Sequence, residues 1–199
     1  MSLPVRTLVL ISGFARAGKD TIGDGIISGC FFSKAVKINF ADSLKDSCNN
    51  FLQSLNLGGS KSPEVNFLQD KFKCKNREFL VQCGRFARSI DVDVFAYAML
   101  DECYICSQTD KNSDLTFVCT DWRYKNEYDV CKKFCKENGW SLVTVYVQTQ
   151  NVVASNDEEA RSVGQLIREL SFDHIRNFKQ DQKGLLGSEG FDIAKSRQL

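Results

Sequence analysis

The sequence predicts an α/β protein in which a mostly parallel β-sheet is flanked by helices. Strand-like segments alternate with segments of helical periodicity along most of the chain, which is typical of βαβ units. The first apolar segment, residues 6–12, runs into a glycine-rich turn, and helical periodicity begins directly after Gly18. Residues 46–106, approximately, are helical and interrupt the alternation. We therefore expect one domain over residues 1–199, with this helical lobe inserted between the second and third strands.

Five segments are predicted to be strands, most of them short, apolar and rich in branched side chains. They are residues 6–12, 36–40, 115–120, 141–147 and 174–177. Beyond the helix that follows Gly18, helices are predicted for residues 42–55, 77–89, 94–106, 126–137 and 157–170. Asn138 and Gly139 are a typical C-terminal helix signal, and residues 58–63 have the composition of a loop. No element is predicted after Lys179.

The composition is that of a globular protein without a strongly charged surface. The chain has 199 residues, 26 Lys and Arg against 25 Asp and Glu, a formal net charge of +1 and 43% apolar residues. The near-neutral balance removes the electrostatic argument for binding nucleic acid or an anionic membrane. The longest strongly apolar stretch is far too short to span a bilayer, and the first five residues carry no signal-peptide pattern. We therefore expect a cytoplasmic protein.

Nine cysteines are spread over the whole chain, an odd number that does not suit a disulfide framework. Cys103 and Cys106, with Cys131 and Cys135, have a spacing that could in principle hold zinc through four thiolates. Each pair, however, falls within its own predicted helix, and neither pair is accompanied by knuckle glycines. We expect reduced cysteines that fill the core as small apolar side chains.

Residues 13–21, GFARAGKDT, match the phosphate-binding loop pattern G-x-x-x-x-G-K. In such a loop, backbone N–H groups turn around a phosphate above a helix N-terminus, and a lysine reaches the β- and γ-oxygens. The predicted strand before it and helix after it are the context that the motif requires. Asp20 stands where Ser or Thr is usual, so either Asp20 holds Mg²⁺ through water or Thr21 shares this role. The predicted nucleoside triphosphate site consists of Gly13, Ala15, Ala17, Gly18, Lys19, Asp20 and Thr21.

Two charged residues lie where the third predicted strand ends. Asp121 follows residues 115–120, where a carboxylate can hold Mg²⁺ beside the loop at the carboxyl edge of the sheet. The alternative role for Asp121 is to cap the next helix. Arg123 comes two residues later at the same edge, and its guanidinium suits bidentate phosphate contact. A lone arginine is, however, more often a solvated or salt-bridged surface residue.

Four motifs, in this order, resemble those of the deoxynucleoside monophosphate kinases of the bacteriophage type. The first is G-K-D-T at residues 18–21, which makes Asp20 a trait of the family, and the second is F-A-D-S-L-K at residues 40–45. The third is R-x-x-L-x-Q-x-G-x-x-x-R at residues 77–88, and the fourth is D-x-R-x-x-N-E at residues 121–127. The resemblance extends from Leu8 to about Asn177, which is nearly the whole chain.

The resemblance implies a three-layer P-loop kinase fold with a helical substrate-binding insertion. It also implies transfer of the γ-phosphoryl group of ATP, with Mg²⁺, to a deoxynucleoside monophosphate. Lys19, Asp121 and Arg123 would then act in catalysis, and Asp20, Thr21 and Asp121 would hold the metal. The residues carried over to the acceptor side are Asp42, Lys45, Arg77, Gln82 and Arg88. Small-molecule nucleotides are the expected partners, and a homodimer is left open.

Phosphoryl transfer asks the protein mainly for positioning and charge neutralisation, and a phosphate acceptor already carries charge. No general base is therefore required, which agrees with a chain whose single histidine, His174, is interpreted as a structural strand residue. The arginines of the acceptor side are expected on the same grounds, because two anions must be brought together.

One departure from such enzymes lies after the fourth strand, where a lid usually carries arginines. Residues 148–156 contain none, and the nearest are Arg161 and Arg168, which share one helical face. Either Arg161 does the work of the lid, or Arg16 within the loop does it, or the activity is low.

Other functions also stay open on the sequence. One alternative is another P-loop small-molecule kinase, of the phosphomevalonate or dephospho-coenzyme A type, and a second is a nucleotide-binding module without turnover. The accepted base is not identified. Candidate surfaces on which it could stack are Phe72, Phe79, Phe86 and Phe95.

Overall fold

A computed structural model of the chain describes residues 4–31, 33–55 and 66–197. Its strands are β1 (Arg6–Ser12), β2 (Lys34–Lys37), β3 (Leu115–Trp122), β4 (Ser141–Thr149) and β5 (His174–Phe178). They form one sheet in the order β2-β3-β1-β4-β5, and all neighbouring strands are parallel. The carboxyl ends of the strands therefore lie at one edge of the sheet, where ligands of open α/β sheets bind.

The helices pack on both faces of the sheet, and four of them form the predicted insertion. Their bounds are α1 (Lys19–Gly29), α2 (Asp42–Ser54), α3 (Asp70–Lys75), α4 (Arg77–Ile90), α5 (Val94–Thr109), α6 (Lys125–Asn138), α7 (Asp157–Glu169) and α8 (Leu186–Arg197). A 3₁₀ helix, Gln180–Leu185, precedes α8. The four helices α2 to α5 lie between β2 and β3, where the sequence predicts the inserted lobe. Within the described residues, no helix is both long and apolar enough to cross a bilayer.

Strand β1 shows how the three layers are held together. Its side chains alternate between the two faces of the sheet: Leu8 and Leu10 pack with α5 and α6, whereas Val9 and Ile11 pack with α1 and α8. All four are fully buried. The result is a three-layer α/β fold with a parallel sheet, which confirms the predicted fold class.

The second strand differs from its prediction. It covers Lys34–Lys37, whereas the sequence predicts residues 36–40. Its pairing with β3 ends at Lys37 opposite Val118, and the backbone N–H of Phe40 donates to the Asp121 carboxylate instead of to a strand. The chain thus leaves the sheet early, because the Asp121 side chain at the end of β3 accepts a hydrogen bond from its backbone.

The sequence missed α3 and α8, and the outcome for one loop is open. Helix α8 contains Gly187 and Gly190, which weaken any helical prediction, but the packing of α8 on α1 requires a glycine at position 190. A Cβ on Gly190 would lie 2.2 Å from the Ile22 carbonyl oxygen, so α8 can approach α1 this closely only without a side chain there. The predicted loop at residues 58–63 lies outside the described residues.

The cysteines are free thiols, and five of them are buried. As predicted, Cys103 and Cys106 lie on α5 and Cys131 and Cys135 on α6. Burial raises the pKa of the Cys103 and Cys131 thiols, so both stay protonated at neutral pH. In the part of the chain that is described, no group of three or more His, Cys, Asp or Glu side chains is arranged to hold a metal ion.

Candidate functional site

The glycine-rich loop of residues 13–18 connects the carboxyl end of β1 to the first turn of α1. Gly18 has φ +95° and Gly13 has φ +147°, backbone conformations that favour glycine. A Cβ on Gly13 would also lie 2.2 Å from the carbonyl oxygen of Val147 on β4. The Thr149 hydroxyl donates to the carbonyl of Ala17 at 2.9 Å. Strand β4 therefore packs closely against the loop, which lies directly above the N-terminus of α1, whose first N–H groups have no acceptor within the helix.

Lys19, the first residue of α1, folds back over this loop. Its Nζ donates to the carbonyl oxygens of Gly13 and Phe14, each at 2.8 Å, and the side chain is only 7% exposed. Burial, and after it the positive charge of Arg123, lower the pKa of Lys19 to about 8, against the opposing charges of Glu159, Asp20 and Asp121. A second cation therefore lies close to the lysine.

Asp20 and Asp121 lie on either side of Thr120 at the edge of the sheet. The Thr120 hydroxyl donates to Asp20 at 2.7 Å, and Lys37 forms an ion pair with Asp20 at 3.1 Å. Burial opposes ionisation, but the hydrogen bonds from Thr120 and Lys37 hold the pKa of Asp20 below its usual value. Thr21 is exposed and lines a different groove, between α1 and α8. Of the two residues that the sequence offers for Mg²⁺ at this point, the ionised Asp20 is the better donor.

Asp121 caps a different helix from the one that the sequence suggests. Its two carboxylate oxygens accept the backbone N–H groups of Phe40 and Ala41, each at 3.0 Å. It thus caps the start of α2, whereas the sequence suggests the next helix in the chain. The register of β1 and β3 shifts beside it, between Leu10 and Ser12, as at a β-bulge. Its oxygens keep further lone pairs, so a role with Mg²⁺ through water remains compatible with this capping.

Glu159, which no motif identifies, joins this site from the first turn of α7. Its Oε1 accepts the backbone N–H of Ala15 at 3.0 Å and lies 3.6 Å from a guanidinium nitrogen of Arg123. Its Oε2 accepts the backbone N–H of Ser155 at 2.7 Å. The sequence signal was the Asn156-x-x-Glu159 pattern, which predicts a helix cap, but nothing in that pattern points to a residue in the loop.

On the side of the inserted lobe, Arg88 is fixed between two aromatic rings. Its guanidinium carbon lies 4.6 Å from the ring centres of both Phe95 and Tyr124. A terminal nitrogen lies 3.5 Å from Glu127, whose carboxylate is buried and accepts the backbone N–H groups of Arg123 and Tyr124. Burial raises the pKa of Glu127 to about 7. Arg88 is thus held as part of the packing between α4 and α6.

A cleft of about 930 Å³ opens between α4 and the N-terminal half of α7, and we call it the α4–α7 cleft. Its basic lining residues are Lys75, Arg77, Arg85 and Arg161. Tyr124 and Glu158 form its wall towards Glu159, and Arg85 forms an ion pair with Glu158 at 3.0 Å. Arg77 and Arg161, which the sequence assigns to the acceptor and to the lid, thus lie in one cleft with Arg85, which sequence reasoning missed.

The remaining predicted residues do not line this cleft. Asp42 accepts the backbone N–H of Asn39 at 2.9 Å and pairs with Lys45 at 2.7 Å, so both are engaged at the start of α2. Gln82 is exposed and donates to Glu78 on its own helix. Arg16 is exposed with a left-handed φ of 67°, which is uncommon for a residue with a side chain.

The candidate aromatic surfaces mostly serve packing. Phe72 and Phe79 both contact the fully buried Phe67, at centroid distances of 4.9 and 5.8 Å. Phe95 is buried beneath Arg88, and Phe86 is 69% exposed and lies outside the α4–α7 cleft. None of the four therefore offers a ring face in that cleft.

Comparisons with known proteins add little to this geometry. No family model matches the chain, and no curated protein matches it either. A solved structure described as the crystal structure of APE1195 is similar to this chain with a TM-score of 0.44 and 10% sequence identity. The similarity covers 100% of this chain and 99% of that one. A likeness of this degree supports no inference about function.

Proposed function

We propose that the protein is a P-loop phosphotransferase that moves the γ-phosphoryl group of ATP to a deoxynucleoside monophosphate. The observation that carries the proposal is that two cations reach a glycine loop at a helix N-terminus: Lys19 binds two loop carbonyls, and Arg123 contacts the Glu159 carboxylate that accepts the Ala15 amide. Two cations and free helical N–H groups are the environment that a transferring phosphate requires. The α4–α7 cleft, which is lined by four basic and three acidic side chains, adjoins this site through Glu158 and Glu159, and a phosphorylated acceptor would bind there.

In the proposed reaction an oxygen of the acceptor phosphate attacks the γ-phosphorus of ATP. The bond between that phosphorus and the β–γ bridging oxygen breaks, and the products are ADP and a nucleoside diphosphate. Lys19 and Arg123 would balance the charge on the transferred group, and Arg77 would hold the acceptor phosphate. The attacking oxygen is already anionic, so no side chain needs to remove a proton.

Asp20 is the residue that fits Mg²⁺ best, because it is an ionised carboxylate next to the loop. Asp121 would assist through water. Mg²⁺ keeps several waters and usually takes only one or two carboxylates from such a protein. When bound, it would neutralise part of the negative charge of the ATP phosphates.

The test is a product-resolved assay with ATP, Mg²⁺ and a panel of all deoxynucleoside and nucleoside monophosphates. We expect one or a few deoxynucleotides to give the diphosphate, and K19A to be the inactive control. Tight ATP binding without any phosphorylated acceptor would favour a nucleotide-binding module. Transfer to phosphomevalonate or dephospho-coenzyme A, but to no nucleotide, would favour the other small-molecule kinases.

We place this activity in the cytoplasm, where ATP is available and thiols stay reduced. The nine free cysteines, most of them wholly or partly buried, support that location. Small-molecule nucleotides are the proposed partners, and a homodimer is tested by the mass of the purified protein in solution.

A further inference from the structure

Glu159 is a buried carboxylate whose contacts exceed what its own helix needs. It is only 2% exposed, and burying a carboxylate is costly unless its oxygens are paired. Burial opposes ionisation, but the N–H groups of Ser155 and Ala15 and the charge of Arg123 hold the pKa of Glu159 below its usual value. The residue is therefore an anion at neutral pH, placed between α7 and the loop of residues 13–18.

Helix capping explains only half of this arrangement. Asn156 is the N-cap of α7 and accepts the backbone N–H of Glu159 at 2.8 Å, and Glu159 in turn accepts that of Ser155 through Oε2. A cap of this kind is complete with one carboxylate oxygen. The other oxygen, Oε1, leaves the helix and binds Ala15 and Arg123, which a capping residue has no need to do.

The charges around Lys19 show what the second oxygen contributes. Arg123 and Lys19 repel each other, since Arg123 lowers the pKa of Lys19 whereas Glu159 raises it. A carboxylate that contacts Arg123 and the loop amide offsets this repulsion and holds the guanidinium on the side of the loop. Without it, Arg123 would have the freedom to turn away from the lysine.

We propose that Glu159 is a positioning residue, which holds Arg123 and the Ala15 amide in place for phosphoryl transfer and ties α7 to the phosphate-binding loop. The inference rests on the proposed function, because Arg123 is taken to meet the transferred phosphate. It also gives a role to the helix that follows the segment without lid arginines: the start of α7 supplies the carboxylate that holds Arg123, which lies between β3 and α6.

The adjacent residue, Glu158, points to the other side. It binds Arg85 at 3.0 Å and accepts the Tyr124 hydroxyl, both of which line the α4–α7 cleft. Two consecutive glutamates therefore contact the loop and the α4–α7 cleft. A shift of α7 would change the contacts of both.

The test compares E159Q and E159D with E169Q, a matched change at the exposed C-terminal end of the same helix. For E159Q we expect kcat to fall about 10- to 100-fold, which is typical of a misplaced catalytic group, while the KM for ATP and for the acceptor change less than about threefold. E159D keeps the charge and should retain more activity than E159Q. E169Q should match the wild-type chain.

A double-mutant comparison separates positioning from simple support of the helix. If Glu159 acts through Arg123, E159Q should cost less than about twofold further in an R123A background. An equal further loss in that background, or an unchanged kcat in E159Q, would overturn the proposal.

Hydrogen exchange in the protein without nucleotide supplies a readout independent of activity. The peptide that contains residues 13–18 should exchange faster in E159Q than in the wild type and in E169Q; equal exchange would contradict the link to the loop. If the wild-type chain phosphorylates no nucleotide, the proposed function fails, and this measurement still decides whether Glu159 holds the loop.

Discussion

The glycine-rich loop of residues 13–18 and the inserted lobe are built on different principles. The loop takes its shape from consecutive residues: Gly13 and Gly18 have backbone angles that suit glycine, and Lys19 closes back on carbonyls five and six residues earlier. The lobe takes its functional geometry from distant contacts, such as Arg88 between Phe95 and Tyr124. A motif in the sequence therefore specifies the backbone of the first region, apart from its contacts with β4 and Glu159, and specifies the second region only by residue type.

The cations of the two regions, Lys19 in the loop and Arg88 in the lobe, also differ in how firmly they are held. Among the described residues, the Lys19 ammonium donates to the carbonyl oxygens of Gly13 and Phe14, which the oxygens of a bound phosphate would replace under the proposed function. Arg88 has no comparable freedom, since it is stacked on two rings and faces a buried carboxylate. Substitutions should accordingly reduce activity in the loop and stability in the lobe.

The largest effect is expected for K19A. Removing the cation that we propose to contact the β- and γ-phosphates should lower kcat on the order of 10²-fold or more, while the melting temperature changes little. The measurement is steady-state turnover alongside thermal unfolding, with K133A on the exposed face of α6 as the matched control. Near-wild-type turnover in K19A would show that the loop does not bind the transferred phosphate.

Substitutions of Arg88 and Arg77 separate stability from substrate binding in the lobe. R88A should lower the free energy of unfolding by about 2 kcal/mol, because Glu127 keeps its burial and loses its cation. R77A, on the exposed wall of the α4–α7 cleft, should change stability by less than about 0.5 kcal/mol and raise the KM of the acceptor more than that of ATP. Denaturant unfolding and two-substrate kinetics separate the two results. Equal stability losses would contradict the assigned difference.

Helix α8 supports the loop region from behind, and a matched pair of glycines tests this. A Cβ on Gly190 would meet the Ile22 carbonyl at 2.2 Å, whereas one on Gly187, in the same helix, would meet nothing within 4 Å. We expect G190A to lose about 1–3 kcal/mol and G187A to be neutral or slightly stabilised. Chemical denaturation of both variants measures it, and similar values would mean that α8 shifts freely on α1.

The sequence predicted the sheet, its flanking helices and the loop because these depend on local patterns. It could not predict the contact between Glu159 and Ala15, which joins residues far apart in the chain and carries no periodic signal. It also missed α8, since Gly190, which weakens a helix in isolation, is required here for close packing on α1.

For Asp121 the residue was identified from the sequence but its partner was not. Its carboxylate caps α2 because β2 ends at Lys37, three residues earlier than predicted, and this end depends on the same contact. Such mutual dependence between a strand end and a distant side chain cannot be derived from either segment alone.

The smallest effect concerns the pH dependence that Glu127 imposes on stability. Burial raises the pKa of Glu127 to about 7, against about 4.3 for an unfolded chain. The unfolded state therefore releases its proton first as the pH rises, and this contribution to stability is present below about pH 4 and lost as the pH rises through 7. Between pH 6 and pH 8 the wild-type chain should lose about 1 kcal/mol of unfolding free energy that E127Q does not lose.

Denaturant unfolding at several pH values measures the difference between the two chains, and E137Q, a change at an exposed position of the same helix, is the control. Parallel curves for wild type and E127Q would show that Glu127 does not change its protonation between pH 6 and pH 8, and would contradict the raised pKa.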